Sequence, residues 1–267
     1  MLWLLLSLAL AAGHDHRAQG RGAAAVATVA ANSWSNATST LFQGTNDTVD
    51  FGNNLGGNLS NTEWTLSMWA RPTSLAAQVY LAAKADPFGS GSMNWVVGFT
   101  TDGKFYGYWG AVGKTTESSA GAISTNTWYH LASTVRNISG TYTANIWING
   151  TKVGSDVTAP GTDTSSVVAR VGSGYVADSP DTLFPLTGYV DEVTFWSVGM
   201  TQAQVQALYN SGHPGNPLSH SQAASLTHYY RMGDGDTFPT ISDRQGSVNG
   251  TCTNMAGAGT NFTSTVP

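Results

Sequence analysis

Carboxylate side chains are the first residues to consider, because sugar cleavage needs two of them across one groove, one as acid and one as nucleophile or base. The chain has only three glutamates, Glu63, Glu117 and Glu192, and no spacing among them fits such a pair. The nearest local match is Asp191-Glu192 in GYVDEV, but adjacent residues of a strand point to opposite faces. The sequence therefore argues against a glycan hydrolase, which we keep as the weakest alternative.

Other catalytic patterns are missing from the sequence. It contains no G-x-S-x-G elbow, no H-E-x-x-H zinc motif and no P-loop or Rossmann glycine pattern. Cys252 is the only cysteine, which excludes an intramolecular disulfide and a cysteine zinc site. His130 in WYHLA has no orienting partner in sequence, so we predict a structural role for it. We therefore expect a protein that is not an enzyme.

Aromatic side chains are the remaining candidates for ligand binding, and the chain has nine Trp and ten Tyr. Sugar rings carry apolar C–H faces that stack on exposed aromatic rings. Tyr106 and Tyr108 share one face of KFYGYWG, opposite Phe105 and Trp109. Trp147 in NIWING lies opposite the apolar stripe of its strand. We predict that Tyr106, Tyr108 and Trp147 bind ligand; the alternative is that they form a second buried face.

Composition limits the classes of partner. The 267 residues are 41% hydrophobic and 10% charged, and 11 Lys+Arg against 16 Asp+Glu give a net charge of −5. No cluster of basic residues is present, so nucleic acid is excluded as a partner. The apolar run MLWLLLSLALAA is too short to span a bilayer as a helix, so no membrane span is expected.

Period-two alternation of apolar residues predicts β-strands along most of the chain. EWTLSMWA and TWYHLASTV alternate in this way, and Asp102-Gly103 and Asn149-Gly150 are two-residue hairpin signals between flanking strands. One stretch has helical spacing instead, which predicts a short helix near 201–211, with Thr201 as its N-cap and Gly212 just beyond its end. Many short strands with one helix indicate an all-β sandwich or barrel.

Five segments in a fixed order between about residues 39 and 212 carry a family resemblance: STLFQGTNDTVDFG, WTLSMWARP, NTWYHLASTV, ANIWINGTKV and GYVDEVTFWSVGMTQAQVQALYNSG. The series resembles laminin-G-like jelly-roll domains of the concanavalin A-like lectin/glucanase superfamily, and the arrangement is similar to that of pentraxins. The resemblance implies an all-β, antiparallel two-sheet jelly-roll sandwich. The tail SLTHYYRMGDGDTFPTISD also resembles the tails of marine phage proteins.

The resemblance also implies a calcium site. Asp47 aligns with a position where pentraxins and some laminin-G-like domains place an acidic ligand. Asp178 and Asp181, in YVADSPD, match their second acidic region, although this stretch lacks the clustered acids of the family. Ca²⁺ takes six to eight oxygen ligands. We therefore predict Asp47, Asp178 and Asp181 as Ca²⁺ ligands; the alternative for Asp47 is a turn cap.

Three regions are expected along the chain. Residues 1–31 form a leader, in which a signal peptide would cover 1–11 or 1–12 and a flexible segment would follow. A structured terminal segment or a misassigned start is the alternative for the apolar run. Residues 32–213 form the laminin-G-like jelly roll, and 214–267 add strands to the sandwich. We expect Asp234, Asp236 and Asp243 in that last region to form turns.

Three functions follow from these observations. The first is a non-catalytic recognition or adhesion module that binds a glycan or a cell-surface protein, with calcium assisting, on an extracellular, secreted or virion surface. The second is a structural subunit of a virion or extracellular filament, which would form homo-oligomers. The third is a glycan hydrolase of the glucanase superfamily. Binding loops vary too much for the sequence to name the ligand.

Overall fold

The structure, a computed structural model, describes residues 34–53, 55, 62–85, 93–110, 114–158, 167–176 and 179–267. The predicted leader at 1–31 lies outside these residues, and so does Asp178. Residues 35–267 form one compact unit, which is all-β apart from short helical turns. Within the described residues, no helix is long and apolar enough to cross a membrane.

The described strands, in chain order, are β1 (Ser39–Gln43), β2 (Thr48–Asp50), β3 (Trp64–Pro72), β4 (Val79–Ala85), β5 (Met93–Phe99), β6 (Phe105–Trp109), β7 (Lys114–Glu117), β8 (Tyr129–Ile138), β9 (Thr141–Ile148), β10 (Thr151–Thr158), β11 (Ala169–Val171), β12 (Tyr175–Val176), β13 (Ser179–Leu183), β14 (Thr187–Trp196), β15 (Leu226–Tyr230), β16 (Thr240–Ile241), β17 (Gly250–Thr253) and β18 (Phe262–Thr263). Every strand pair among them is antiparallel.

Two eight-stranded sheets face each other. Sheet A has the order β10-β9-β8-β3-β14-β1-β18, with β15 also paired to β14. Sheet B has the order β16-β17-β2-β11-β4-β5-β6-β7, and β12 and β13 form a separate two-stranded ribbon. The predicted antiparallel two-sheet jelly-roll sandwich is confirmed.

The predicted helix is confirmed as α1 (Gln202–Tyr209), with Thr201 as the N-cap residue. The Gln204 side-chain oxygen accepts the Thr201 amide at 2.8 Å, which satisfies a donor that the helix itself leaves free. The helix ends earlier than predicted because Asn210 and Ser211 already have positive φ values of 44° and 58°. A second helix, α2 (Ala258–Asn261), is a single turn, and three 3₁₀ turns occupy Asn210–Gly212, Pro217–Ser219 and Ala223–Ser225.

Both predicted hairpins are present, and their turns differ. Asn149 and Gly150 have φ values of 50° and 74°, as a two-residue turn between twisted strands requires. At the other hairpin only Gly103 has positive φ, and the Thr100 amide donates to the Lys104 carbonyl at 3.1 Å. The loop between β5 and β6 is therefore longer than the predicted two residues.

The core lies between the sheets and follows the alternation in the sequence. Trp64, Leu66, Met68 and Ala70 of β3 are buried there, as their spacing predicts. The opposing sheet contributes most of the aromatic volume, including Trp95, Phe99, Phe105 and Trp109. Burying one large apolar side chain stabilises a fold by about 1.5–3 kcal/mol. The packing of these rings replaces the cross-links that a chain with one cysteine cannot form.

A second buried layer covers the outer face of sheet A. The α1 helix contributes Val205 and Leu208, and Met200 precedes it. Under them lie outward side chains of the sheet, namely Ala132, Trp147, Trp196 and Tyr229. The helix therefore closes this face against water.

The C-terminal segment contributes strands to both sheets. β15 pairs with β14 and β18 with β1 in sheet A, while β17 pairs with β2 in sheet B. Two of its three acidic residues, Asp236 and Asp243, hold turns as we expected, whereas Asp234 accepts the distant Ala37 amide at 2.9 Å and pairs with Arg231 at 2.6 Å. Asp243 accepts the backbone amides of Tyr229, Gln245, Gly246 and Val248. Asp236 accepts the amides of Gly233 and Ser242 and the Arg244 guanidinium.

Candidate functional site

A concavity of about 360 Å³ opens on the outer face of sheet B. Strands β4 to β7 supply most of its lining, which mixes aromatic, apolar and polar side chains. The lining residues are Gln78, Tyr80, Val96, Thr100, Tyr106, Tyr108, Thr115, Thr116 and Glu117. The volume falls within the usual range for small-ligand pockets. The structure thus brings Tyr106 and Tyr108, two of the predicted binding residues, into one open site.

The register of β5 and β6 positions the two tyrosines. Tyr106 lies opposite Gly98 and Tyr108 lies opposite Val96. A Cβ atom at Gly98 would stand 2.9 Å from the Tyr106 hydroxyl oxygen and 2.0 Å from the Val79 carbonyl oxygen. Only glycine at this position leaves room for the Tyr106 side chain to pack against the sheet.

Tyr106 forms the floor of the concavity and is only 8% exposed. Its hydroxyl accepts the Gln78 amide at 3.1 Å and donates to the Val79 carbonyl at 3.3 Å. Tyr80 packs edge-on against it, with ring centroids 6.5 Å apart, and packs against Phe184 at 4.9 Å. Burial raises the pKa of both tyrosines, so both phenols stay neutral in the physiological range.

Tyr108 differs from Tyr106 because its ring is partly exposed. Around it, Gln78 and Thr100 are partly exposed, and Thr115 is exposed. Glu117 lies opposite Tyr106 on β7, and its carboxylate Oε1 is 2.6 Å from Lys104 Nζ. The site therefore combines an accessible aromatic face with neutral hydrogen-bonding groups, which can hold a flat, polar-edged ring.

Several of these residues were not predicted from the sequence. Tyr80 lies in VYLAAK, where every position of the strand is buried and alternation gives no inward or outward signal. Gln78 and Thr115 come from different parts of the chain and meet only through the order of strands β4 to β7. Only the pairing of Tyr108 with Thr115 could have been expected from the sequence. The two strands that carry them, β6 and β7, follow each other closely along the chain.

The prediction that Trp147 presents a ring to ligand is corrected by the structure. Trp147 is 3% exposed and lies beneath α1. Its indole N–H donates to the Thr134 hydroxyl at 3.0 Å. The ring does point away from the inter-sheet core, as its strand position indicates, but the helix covers that side. Trp147 is therefore a packing residue in a second buried face, which was the alternative to ligand binding.

Of the three predicted calcium ligands, Asp47 is the one whose side chain lies within the described residues. Asp47 is 2% exposed, and its carboxylate accepts the Gln43 amide at 2.8 Å, which is how an acidic residue caps a turn. Asp181 lies on β13, whose side chains are outside the described set together with Asp178. No group of three or more metal-binding side chains occurs in the described part of the chain. Asp47 thus makes a contact of the turn-capping kind, and calcium binding by Asp47, Asp178 and Asp181 stays a prediction.

Asp191 and Glu192 depart from the expected alternation. Between Asp191 and Thr194, β14 has one residue more than β3, and Glu192 has φ of 49°. This is a β-bulge, in which an extra residue interrupts the ladder. The expectation that the two carboxylates are separated by the sheet is therefore wrong: they are neighbours in one buried network.

That network leaves neither carboxylate open to a substrate. Tyr229 donates its hydroxyl to Glu192 at 2.5 Å, and Arg231 donates to the same carboxylate at 3.4 Å. The Asn36 amide donates to Asp191 at 2.8 Å. Burial raises the pKa of Glu192 to about 7, and burial together with the neighbouring Glu192 raises that of Asp191. Asp191 is 0% and Glu192 4% exposed, and the described pocket that Glu192 lines has a volume of only about 10 Å³.

His130 and Cys252 are also buried. His130 contacts the Ser67 hydroxyl at 2.8 Å through Nε2, and burial lowers its pKa to about 3, so the ring is neutral. Its ring lies 5.5 Å from that of Trp69. Burial raises the pKa of the Cys252 thiol to about 12, so it carries no thiolate at neutral pH. These contacts agree with the structural role that we predicted for His130.

Solved structures share the fold of this chain at low sequence identity. A candidate carbohydrate-binding protein from Bacteroides ovatus superposes with a TM-score of 0.59 at 20% identity over 83% of this chain, and this chain spans 59% of that protein. The CBM40 of a Ruminococcus gnavus IT-sialidase gives 0.52 at 11% identity, covering 68% of this chain and all of that one (100%). The NanB sialidase of Streptococcus pneumoniae gives 0.50 at 15%, covering 67% of this chain and 28% of the enzyme.

Sequence comparison places the chain in a family. No curated protein matches it. A laminin-G-like family profile, described as the concanavalin A-like lectin/glucanases superfamily, matches residues 43–206, which is more than half of the chain. The matched range runs from the end of β1 into α1 and includes the strands that line the concavity. This chain therefore belongs to the concanavalin A-like lectin/glucanases superfamily.

Proposed function

We propose that this protein is a non-catalytic recognition module that binds glycans through the concavity on the outer face of sheet B. The observation that carries the proposal is the partly exposed ring of Tyr108, which packs against the buried cluster of Tyr106 and Tyr80 in a concavity whose described polar lining is uncharged apart from Glu117. A sugar ring has the matching surface, with apolar C–H faces and hydroxyl groups around its edge.

The expected binding mode follows from that match. The apolar face of one sugar would rest on Tyr108, while its hydroxyls would meet the Gln78 amide and the Thr100 and Thr115 hydroxyls. An aromatic contact contributes about 0.5–1.5 kcal/mol beyond its buried area, and each neutral hydrogen bond about 0.5–1.5 kcal/mol net. A site of this kind should bind a single sugar with low affinity. The overall affinity rises when several copies of the site bind a surface at the same time.

The location and the lack of catalysis are parts of the same proposal. Adhesion to a cell or virion surface suits a module that binds weakly at each copy of a repeated ligand. The two carboxylates nearest to a catalytic pair, Asp191 and Glu192, are buried in the opposite sheet and already hydrogen-bonded. The names of two fold neighbours, a candidate carbohydrate-binding protein and a sialidase CBM40, support glycan as the ligand class.

The direct test is a glycan array with the full chain, followed by calorimetry on the best ligand. Tyr108→Ala should weaken binding about tenfold or more, since stacking on an aromatic ring is lost. The matched control is Tyr189→Ala, which removes a partly exposed tyrosine from sheet A. An unchanged affinity in Tyr108→Ala, or an equal loss in both variants, would remove the concavity as the binding site.

Two further measurements address the other candidate functions. Size-exclusion chromatography with light scattering would show a homo-oligomer if the chain is an assembly subunit. Release of reducing sugar from β-glucans would identify a hydrolase, and a Glu192→Gln variant would then have to abolish that release.

Calcium assistance stays a separate proposal. It rests on Asp178 and Asp181, because Asp47 is engaged in a turn. Calcium should then raise the melting temperature and the glycan affinity, and EDTA should reverse both effects. Asp181→Asn should abolish the calcium response, whereas Asp47→Asn should leave it and destabilise the fold instead. A response that survives Asp181→Asn would exclude this site.

A further inference from the structure

We propose that the concavity on sheet B selects uncharged glycans and discriminates against sugars that carry a carboxylate. This inference rests on the proposed glycan-binding function and specifies the substrate class of the same site. Three observations support it: the charge of the residues that line the concavity, the ion pair that Glu117 makes, and the partners of the arginines elsewhere in the fold.

The lining has one formal charge, and that charge is negative. Among the lining side chains that the structure describes, Glu117 is the only charged group, and none is Arg, Lys or His. Proteins usually recognise a carboxylate through a charge-assisted hydrogen bond, most strongly from the forked guanidinium of Arg. An acidic sugar placed on Tyr108 would lose part of its hydration and find no such partner in the described lining.

The nearest described cation does not supply that partner. Lys104 Nζ lies 2.6 Å from Glu117 Oε1 and 3.6 Å from Asp102 Oδ2, so two carboxylates already face it. These two carboxylates offset the charge of Lys104, so a third carboxylate would gain less from it. Glu117 lines the concavity, whereas Lys104 does not.

The floor of the site reinforces this preference. Tyr106 and Tyr80 remain neutral phenols across the physiological range because burial raises the pKa of each. Gln78, Thr100 and Thr115 are uncharged at every pH. Such groups can both donate hydrogen bonds to sugar hydroxyls and accept hydrogen bonds from them. They carry no positive charge, so they cannot offset the cost of partly desolvating a carboxylate.

Three other arginines have partners outside the concavity, and one of them, Arg170, lies on the outer face of sheet B opposite Ala83. Arg170 pairs with Asp50 at 3.5 Å, and Arg244 pairs with Asp236 at 2.8 Å. Arg71 lies over the Tyr189 ring at 5.2 Å, on sheet A. None of the three lines the concavity.

The test uses matched pairs of immobilised oligosaccharides on the full chain. Each pair has the same neutral backbone, once unmodified and once carrying a terminal sialic acid or a glucuronate. We expect the neutral member to bind at least about tenfold more tightly in 150 mM salt, with the ratio falling as salt screens the charge. Equal or tighter binding of the acidic members that is lost in Tyr108→Ala would overturn the inference and leave the proposed function intact.

A second arm changes the charge without changing the shape. Glu117→Gln should reduce the preference for the neutral member about threefold or more. Glu63→Gln, a change of the same type in sheet A outside the concavity, should leave the ratio unchanged. A ratio unaffected by Glu117→Gln contradicts the inference. Absence of binding to every glycan would defeat the proposed function together with it.

Discussion

The outer faces of the two sheets carry similar aromatic side chains in opposite situations. On sheet A, Trp69, Trp147 and Trp196 point away from the core, yet all three are buried. On sheet B, Tyr106 and Tyr108 also point away from the core, and they line an open concavity. The difference lies in the helix α1 and the chain around it, which cover sheet A.

This contrast shows what a strand pattern can and cannot establish. An aromatic residue opposite the apolar stripe is shown to face outward, but the sequence of the strand does not tell whether another layer covers it. Trp147 and Tyr108 are equivalent by that criterion, and their roles differ because α1 crosses one sheet and leaves the other open. Substitutions on each face can test whether the two differ in stability and binding as the structure indicates.

The largest expected effect is on the covered face. Trp147→Ala should lower the free energy of unfolding by about 3–5 kcal/mol, because it empties a large buried site beneath α1. Urea titration followed by circular dichroism measures this. Trp147→Phe, which keeps most of the volume, should cost clearly less. If Trp147→Ala loses glycan affinity while its stability is unchanged, the two faces have been assigned the wrong way round.

The second effect is a dependence of stability on pH that originates in the covered sheet. The pKa of Glu192 is raised by burial from 4.5 to about 7, so the folded state holds a proton that the unfolded chain has lost. Glu192 should therefore contribute roughly 3 kcal/mol to the free energy of unfolding at low pH, and this contribution should be lost as pH rises from about 4.5 through 7. His130 acts in the opposite direction, because burial lowers its pKa from 6.5 to about 3, so stability is gained as pH rises toward 6.5. The contribution of Glu192 is therefore the difference between the wild type and Glu192→Gln. Thermal melts across this range measure the slope.

The control for this slope is a pair of variants. The stability of Glu192→Gln relative to the wild type should rise with pH across this range, and Glu63→Gln should show no such change. Measurements above pH 4.5 avoid Asp243, where burial opposes but hydrogen bonds from His228 and neighbouring amides prevail and lower the pKa to about 2. A difference between Glu192→Gln and the wild type that does not change with pH would assign the proton to another group, with the neighbouring Asp191 as the first candidate.

A third effect tests how closely the helix approaches sheet A. Gly150 has φ of 74°, and a Cβ atom there would lie 2.8 Å from Gln206 Cγ on α1. Gly150→Ala should therefore cost about 1–3 kcal/mol. Gly121 has nearly the same φ, 73°, but a Cβ atom added to it would meet no other atom within 4 Å. Gly121→Ala should cost less than Gly150→Ala in the same chemical denaturation, and equal costs would mean that only backbone strain matters.

The smallest effect separates the two tyrosines of the open face. Tyr106→Phe removes a hydroxyl that bonds both Gln78 and the Val79 carbonyl, and should cost about 1 kcal/mol of stability. Tyr108→Phe should change stability by less than about 0.5 kcal/mol, because its ring is at the surface. Paired urea titrations distinguish the two. A larger cost for Tyr108→Phe would mean that Tyr108 is the structural member of the pair.

Local patterns in the sequence were sufficient for the fold. The alternation in EWTLSMWA places Trp64, Leu66 and Met68 in the core, as observed. The Asn149-Gly150 turn and the helix after β14 were predicted for the same reason, since neighbouring residues along the chain determine both. Tyr106 and Tyr108 were grouped correctly on one face because their spacing of two is a property of the strand itself.

Long-range packing explains what the sequence did not reveal. The burial of Trp147 depends on α1, which begins at Gln202, far from Trp147 in sequence, and packs its Val205 and Leu208 into the same buried cluster. The bulge at Glu192 depends on the pairing of β14 with β3, and no residue type in GYVDEV requires it. Gln78 and Glu117 join one site only because four strands lie side by side in the order β4-β5-β6-β7.

The pairing of β18 with β1 has a consequence for the assembly of the molecule during synthesis. Ser39 donates its hydroxyl to the Thr265 carbonyl at 2.6 Å, across 226 positions of sequence. Contacts between such distant segments form slowly, because a long loop must close before they can stabilise anything. Until residues 250–263 leave the ribosome, β1 and β2 each lack a neighbour that they have in the finished fold. A nascent chain therefore exposes unpaired strand edges, the surfaces most prone to aggregation, and these are the natural targets for a chaperone.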